Sequence, residues 1–207
     1  LTATPDTTSV FQKWTGVCES AGTNPVCTIT LKSGNNRAVA RFVKQPELTV
    51  RTLGKGSGSV TSNITGISCP GDCKEILPIG TEVTLTATPD AESSFSKWAG
   101  ACKSAGTNPV CTLTISKNVT ARATFVKNPT VTAVVNGAGT ITSDDGGISC
   151  PGDCTEQYPV GGTITLTATP DAGATFDRWR GACKGKSPVC TLNLKNTQNK
   201  TVRAIFK

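Results

Sequence analysis

The chain of 207 residues contains no His and no Met, and aromatic residues make up only 5% of it. Without His, the Ser-His-Asp and Cys-His catalytic systems and His-containing zinc sites are excluded. No Cys-x-x-Cys-His motif is present for haem attachment, and we expect no cofactor. No stretch approaches eighteen consecutive apolar residues, so we also expect no membrane span.

Charge is scarce as well, because charged residues make up 17% of the chain. Basic residues outnumber acidic ones by 21 to 14, which gives a net charge of +7. The high Thr content and the few aromatic residues favour many short β-strands over helices. The sequence begins without Met or a charged-then-apolar leader, so we expect a processed product or a fragment.

The ten cysteines are the strongest compositional signal. An even number of cysteines in a protein with a lean core indicates a disulfide framework formed in an oxidising compartment. Metal binding through Cys-x-x-Cys pairs is not expected, because three, six or eight residues separate neighbouring cysteines within each motif. The cysteines therefore predict an extracellular or cell-surface protein.

Internal repeats organise the whole chain. Leu-Thr-Ala-Thr-Pro-Asp occurs at Leu1–Asp6, Leu85–Asp90 and Leu166–Asp171. Each copy leads into Phe-x-(Lys/Arg)-Trp, two cysteines and an alternating closing strand. A second pattern, which contains Gly-Ile-Ser-Cys-Pro-Gly-Asp-Cys, occurs only at Gly66–Cys73 and Gly147–Cys154. We therefore predict a half repeat (1–45) followed by two full repeats (46–127 and 128–207).

The repeats also bear on the disulfide pairing. The half repeat holds only Cys18 and Cys27, which must pair with each other if the half repeat is self-contained. By equivalence, local pairing joins the other cysteines as Cys102–Cys111, Cys183–Cys190, Cys69–Cys73 and Cys150–Cys154. The alternative is that the two cysteine motifs of one full repeat pair with each other. The cysteines of the half repeat would then be an exception, because the half repeat contains only one of these motifs.

Alternation of polar and apolar residues predicts half-buried antiparallel strands, for example at Thr81–Thr88 and Val119–Phe125. No segment supports a long amphipathic helix, so we expect an all-β unit of five or six strands per repeat. Short Pro-containing joints, Val43–Pro46 and Val126–Pro129, connect the repeats. Because Pro restricts the backbone on both sides, these joints favour a stiff rod.

Two motifs carry a family resemblance: Gly-Thr-x-Val-Thr-Leu-Thr-Ala-x-Pro leading to Phe-x-x-Trp, and a closing Val-Thr-Ala-x-Phe strand. With them the chain resembles the divergent internalin B-repeat superfamily, related to the Listeria–Bacteroides repeats, and in particular a cysteine-bearing branch. The resemblance implies tandem β-grasp-like or small β-sandwich repeats of about 80 residues, with little or no helix. It further implies a stalk, adhesin or other structural part of a secreted or surface-anchored bacterial protein, without catalysis.

Trp14, Trp98 and Trp179 occupy equivalent positions, one in each repeat. An exposed Trp could stack on a sugar ring, whereas a buried Trp would fill the core beside its neighbouring Phe. We expect the core role, because these repeats have few other large apolar residues. The candidate glycan-binding role stays open at this point.

Two carboxylate pairs follow the Pro-Gly turns, Asp72 with Glu75 and Asp153 with Glu156. Acid–base chemistry needs two carboxylates across a cleft, but these pairs recur on a disulfide loop, so we expect them to cap a turn. Asp144-Asp145-Gly146-Gly147 lacks the spaced ligands of a calcium loop. We therefore predict no metal site and no enzyme.

The net positive charge could attract nucleic acid or an anionic polysaccharide. The densest basic cluster is Arg178, Arg180, Lys184 and Lys186. The first repeat does not share it, so we expect a solvated face and no specific nucleic-acid partner. Three Asn-x-Thr sequons, at Asn63, Asn118 and Asn199, permit glycosylation.

The half repeat leaves one set of strands without a complementary half. Unpaired strand edges template pairing with another chain, so we expect the half repeat to join a copy of this chain head to tail. The other interpretation is that neighbouring repeats of a longer array supply the contact. The sequence thus predicts an extracellular structural rod, as a filament subunit or stalk segment; the alternative is an adhesive or carbohydrate-binding module.

Overall fold

The structure, a computed structural model, describes residues 1–207 and is all-β, as predicted. Its helical content is limited to two short 3-10 turns, Glu19–Ala21 and Lys103–Ala105. No helix in it is long and apolar enough to cross a membrane.

The strands are numbered along the chain. The half repeat contains β1 (Ser9–Gly16) and β2 (Ala38–Lys44). The first full repeat contains β3 (Glu47–Gly54), β4 (Gly58–Ser62), β5 (Ser68–Cys69), β6 (Lys74–Ile76), β7 (Glu82–Pro89), β8 (Ser93–Gly100), β9 (Val110–Thr114) and β10 (Val119–Lys127). The second full repeat contains β11 (Thr130–Asn136), β12 (Gly139–Ser143), β13 (Ser149–Cys150), β14 (Thr155–Gln157), β15 (Thr163–Pro170), β16 (Phe176–Gly181), β17 (Val189–Asn193) and β18 (Lys200–Phe206).

Each full repeat is built from two four-stranded sheets. In the first, the sheets have the strand orders β6-β3-β10-β8 and β5-β4-β7-β9, and the second repeats this arrangement as β14-β11-β18-β16 and β13-β12-β15-β17. The expectation of five or six strands was wrong. The additional strands, such as β5 and β6, are only two or three residues long and are too short to show alternation.

The first and last strands of each full repeat are adjacent and parallel. β3 pairs with β10, so that Leu48 lies opposite Val119 and Val50 opposite Ala121. β11 pairs with β18 in the same way. The backbone N–H of Glu47, at the start of β3, is bound by the Asn118 side-chain oxygen at 2.9 Å. This pairing joins the two ends of the repeat in the middle of one sheet.

The two sheets of a full repeat share one hydrophobic core. In the first full repeat, Leu48, Val60, Leu85, Trp98 and Phe125 from both sheets are at most 2% exposed. No helix packs across either sheet, so the unit is a β-sandwich and not a β-grasp fold. The second full repeat has an equivalent core of its own.

A glycine makes room for the aromatic ring at the end of each core. A Cβ atom added at Gly58 would lie 2.5 Å from Cε1 of Phe125, and one added at Gly139 would lie 2.6 Å from Cε1 of Phe206. A side chain at either position would overlap with the ring. The Gly at the start of the second strand is therefore required by the Phe in the last strand.

The disulfides close the edges of each sandwich. Cys69 in β5 pairs with Cys73, which directly precedes β6, at a Cα–Cα distance of 4.6 Å. Cys102, just after β8, pairs with Cys111 in β9 at 5.8 Å. Because β5 and β9 are the edges of one sheet and β6 and β8 those of the other, each disulfide connects the two sheets along one side.

The half repeat has only part of this architecture. β1 and β2 pair as β8 and β10 do, and Cys18 is joined to Cys27. Its small core contains Ala3, Trp14 and the disulfide. The half repeat has no strands that correspond to β3–β6, and the segments that correspond to β7 and β9 form only an isolated bridge between Thr2 and Val26.

The edge positions of the disulfides predict their effect on stability. Replacing Cys69 and Cys73 together by Ala should cost about 2 kcal/mol, and replacing Cys102 and Cys111 about 3 kcal/mol, because the second pair closes a longer loop. Hydrogen exchange should then accelerate in β4 and β7 and stay unchanged in β12 and β15. Equal protection of both sandwiches in the variants would contradict an independent contribution of these disulfides.

Candidate functional site

The three Trp side chains lie in the cores. Trp14, Trp98 and Trp179 are 5%, 2% and 2% exposed. Each packs against a neighbouring Phe with ring centroids 5.6 Å apart. The indole of Trp98 also donates a hydrogen bond to the carbonyl oxygen of Pro109 at 3.3 Å. The Trp faces are thus used for packing, and a sugar ring has no exposed indole face on which to stack.

Three of the four carboxylates that follow the Pro-Gly turns accept hydrogen bonds from nearby backbone. Asp72 accepts a hydrogen bond from the N–H of Lys74 at 3.4 Å, and Asp153 accepts one from Thr155 at 3.3 Å. Glu156 accepts one from the N–H of Gln157 at 2.9 Å. Asp72 and Asp153 thus have the contacts of carboxylates that stabilise a turn, whereas Glu75 and Glu156 lie in β6 and β14.

The sequon asparagines have structural contacts that the sequence did not indicate. Asn63 accepts a hydrogen bond from the N–H of Thr84, and Asn199 from that of Thr130. Asp144 takes the place of Asn63 in the second full repeat and binds Thr165 in the same way. The recurrence of Asn or Asp at these positions could have indicated a shared structural role, because both offer a side-chain oxygen.

The basic cluster lies on the outer face of β16 and on the loop that follows. Arg178 and Arg180 alternate with buried Trp179 and are exposed, as are Lys184 and Lys186. Arg180 lies directly opposite Arg203 of β18. Near this face, Lys207 binds Asp177 at 3.0 Å and holds the pKa of that carboxyl below its usual value. The exposed face therefore has an excess of positive charge.

Tyr158, the one Tyr of the chain, belongs to a polar cluster in the second full repeat. Its hydroxyl lies 3.4 Å from Asp145 Oδ1, which also accepts a hydrogen bond of 2.6 Å from the Ser143 hydroxyl. This hydroxyl contact lowers the pKa of Asp145. Burial raises the pKa of Tyr158 to about 12. The first full repeat has Leu77 at the same position.

Titration of Tyr158 can be followed directly by tyrosinate absorbance at 295 nm. In the folded protein we expect a midpoint near pH 12, against about 10 when unfolded. Because the folded state holds the proton more tightly, this contribution to stability is complete below pH 10 and is lost as the pH rises towards 12. In the Tyr158→Leu variant, the second full repeat should no longer lose this stability as the pH rises from 10 to 12. A native midpoint at pH 10 would contradict the burial of the phenol.

The junction between the two full repeats contains a buried polar side chain, Asn128, which is 5% exposed. Its backbone N–H binds the carbonyl oxygen of Glu92 at 2.9 Å, and its Oδ1 accepts a 2.6 Å hydrogen bond from the hydroxyl of Ser94. The same hydroxyl accepts a 3.1 Å hydrogen bond from the N–H of Val160 in the next repeat. Ser94 thus connects the two repeats.

The corresponding junction after the half repeat lacks these groups. Val10 stands where Ser94 stands, and Gln45 where Asn128 stands. Gln45 keeps only the backbone bond, from its N–H to the carbonyl oxygen of Thr8 at 2.8 Å. Val10 is 41% exposed. Ile79, the counterpart of Val160, is 58% exposed.

The half repeat presents the most extensive unpaired surface. Phe42 is 43% exposed, whereas the equivalent Phe125 and Phe206 are 0% and 6% exposed. Leu1 and Leu31 are also exposed, and β2 has a free edge on the side where β10 binds β3.

Solved structures with some similarity include the shaft pilin SpaA of Lactobacillus rhamnosus GG, at 10% identity and a TM-score of 0.28, over 78% of this chain and 98% of that one. Another is the major pilin T-13 of Streptococcus pyogenes, at 8% identity and a TM-score of 0.34, over 80% and 98%. These TM-scores are too low to indicate a shared overall fold. No curated protein sequence matches the chain.

The family model of the divergent InlB B-repeat domain matches residues 1–46, 48–129 and 130–207. These three matches span nearly the entire chain and agree with the resemblance seen in its motifs. The chain therefore belongs to the divergent InlB B-repeat domain family.

Proposed function

We propose that this chain is an extracellular structural protein, a stiff rod of repeats that serves as a filament subunit or a stalk segment. Its units are the half repeat 1–45 and the full repeats 46–127 and 128–207. The rod contacts a neighbouring subunit through the half repeat. The observation that carries this proposal is the tandem arrangement, within one chain, of equivalent sandwiches that are closed by disulfides.

Three further features support the proposal. All ten cysteines are paired, as expected in an oxidising compartment. The Asn128–Ser94–Val160 hydrogen bonds hold successive repeats together at a joint of few residues. The polar groups that recur between repeats have structural partners, which fits a protein whose role is mechanical.

Binding of an anionic polysaccharide is a second candidate function. It rests on the exposed basic face around Arg178, Arg180 and Arg203. Arg180 and Arg203 lie opposite each other on paired strands, where like charges are unfavourable unless an anion lies between them. The first full repeat has Ala99 in place of Arg180, so this candidate applies to the last repeat alone.

The hydrogen-bonded junction predicts unequal stiffness along the rod. Replacing Ser94 by Val and Asn128 by Gln gives the second junction the residues of the first. Because both side-chain bonds at Ser94 are then lost, the two full repeats should reorient more freely, with separate alignment tensors in residual dipolar couplings. Thr175→Val, at the matching site of the last repeat, is the control. One common tensor in the double variant would contradict this role of Ser94.

The filament function is tested on native material by electron microscopy and size-exclusion light scattering, at neutral pH and without reductant. We expect ordered fibres, because a head-to-tail contact that does not close builds a fibre. Deleting residues 1–45 should abolish them. A strictly monomeric rod at high concentration would contradict the filament function.

A further inference from the structure

We propose that the outer face of β3, β10 and β8 in the first full repeat, and that of β11, β18 and β16 in the second, bind the carboxylate groups of a polysaccharide of uronic acid sugars. We call them the basic faces. The inference rests on the second candidate function above: it adds a binding face in the first full repeat, and it names the anionic group. Both basic faces lie on the sheet that contains the parallel strand pair.

Arg122, on β10, is the centre of the basic face in the first full repeat. On the parallel neighbour β3, Arg51 lies directly opposite Arg122. On the antiparallel neighbour β8, Lys97 lies opposite Thr124, which is two residues from Arg122 along β10. Because residues two apart on a strand point to the same side of the sheet, the three cations share one face, and all three are exposed.

The second full repeat builds a similar group of three cations around Arg203. Arg180 lies directly opposite Arg203, and Arg178 is two residues from Arg180 on the same face of β16. Arg203 and Arg178 stand where Arg122 and Lys97 stand in the first full repeat. The third cation comes from the parallel neighbour in the first full repeat and from the antiparallel neighbour in the second. Each full repeat thus has three exposed cations on the same sheet.

The half repeat does not have this group. Val39 stands where Arg122 stands, and Lys13 lies opposite Arg41 without a third cation on that face of β1 and β2. We therefore expect one binding face in each full repeat.

The cations of the basic faces have few partners within the protein. Only Arg178 lies near a carboxylate, with its Nε 3.6 Å from Oδ2 of Asp177. The other ion pairs of the chain join different cations, in Lys74–Glu47, Lys127–Glu92 and Lys207–Asp177. Like charges at directly opposite positions destabilise a sheet. Each basic face therefore contains a repulsion that a bound anion relieves.

The side chains of the basic faces match a sugar that carries a carboxylate. A planar guanidinium group can donate two parallel hydrogen bonds to the two oxygens of one carboxylate. Thr49 lies opposite Thr120, and Thr132 lies opposite Thr201, each pair on the same face as the cations and next to them. The Thr hydroxyls can donate hydrogen bonds to sugar hydroxyls and accept hydrogen bonds from them.

The absence of a stacking surface favours a polysaccharide over single-stranded nucleic acid. Proteins that bind single strands combine a basic groove with aromatic side chains on which the bases stack. The three Trp side chains and that of Tyr158 are at most 7% exposed. The cations are instead flanked by Thr hydroxyls, which suit the hydroxyl groups of sugars.

The test titrates the full chain with a short oligogalacturonate in isothermal titration calorimetry at low salt. We expect two oligosaccharides to bind per chain, one at each basic face, and the affinity to fall as the salt concentration rises. The methyl ester of the same oligosaccharide is the matched control, because it keeps the sugar hydroxyls but has no carboxylate charge. It should not bind.

Replacement of both Arg51 and Arg122 by Gln removes the facing charges of the first full repeat. This variant should bind one oligosaccharide per chain, with an affinity at least about tenfold lower at the altered face, because hydrogen bonds between charged groups are lost. Lys103→Gln with Lys117→Gln is the control, since it removes two exposed cations of the same repeat that lie outside this sheet. It should still bind two.

Replacement of both Arg180 and Arg203 by Gln should likewise leave one bound oligosaccharide, at the first full repeat. The melting temperature of either double variant should not fall, because the substitutions remove a repulsion between facing cations. An unchanged melting temperature then shows that the loss of binding is not caused by unfolding.

Three results would overturn the inference. Binding that is unchanged by replacement of Arg51 and Arg122 would do so, and it would leave the candidate function of the last repeat standing. Equal binding of a single-stranded DNA of the same charge would do so, because the face would then accept any polyanion. No binding of oligogalacturonate would refute the inference and the polysaccharide candidate together. The filament function is measured separately, by electron microscopy.

Discussion

The parallel pairing between the first and last strands of each repeat is the interaction on which the rest of the structure depends. It places β3 beside β10 in the middle of a sheet, and it brings the two halves of the repeat into contact over one core. Phe125 is buried only because Gly58, on the next strand, leaves space for its ring. Where the pairing is missing, in the half repeat, the corresponding Phe42 is exposed.

The disulfides complement this central pairing at the edges. Each sandwich has two open sides, and Cys69–Cys73 lies at one while Cys102–Cys111 lies at the other. A unit of about 80 residues buries little surface, so the covalent links offset a core too small to hold two sheets together firmly. The half repeat has only the Cys18–Cys27 link, which corresponds to Cys102–Cys111 of the first full repeat.

The sequence predicted the class of the fold, but not its strand order. Alternation revealed the long strands, such as β7 and β10, because one face of each is buried. It did not reveal β5 or β6, which are too short for a period to appear. The parallel neighbour of β10 lies about seventy residues away along the chain, and a local pattern contains no information on such distant pairing. The roles of Ser94 and Asn128 were missed for the same reason, since their partners lie in other elements.

What the sequence by itself determined is the repeat arithmetic: three copies of the pattern of residues 1–45, two copies of the pattern that contains Gly-Ile-Ser-Cys-Pro-Gly-Asp-Cys, and a local set of cysteine pairs to consider. These follow from spacing and recurrence, which are properties of the chain alone. Only the tertiary structure decided between a β-sandwich and a β-grasp fold, placed the Trp side chains inside, and located the open face of the half repeat. Those features depend on which strands meet across the core, and burial is decided by the contacts between distant segments.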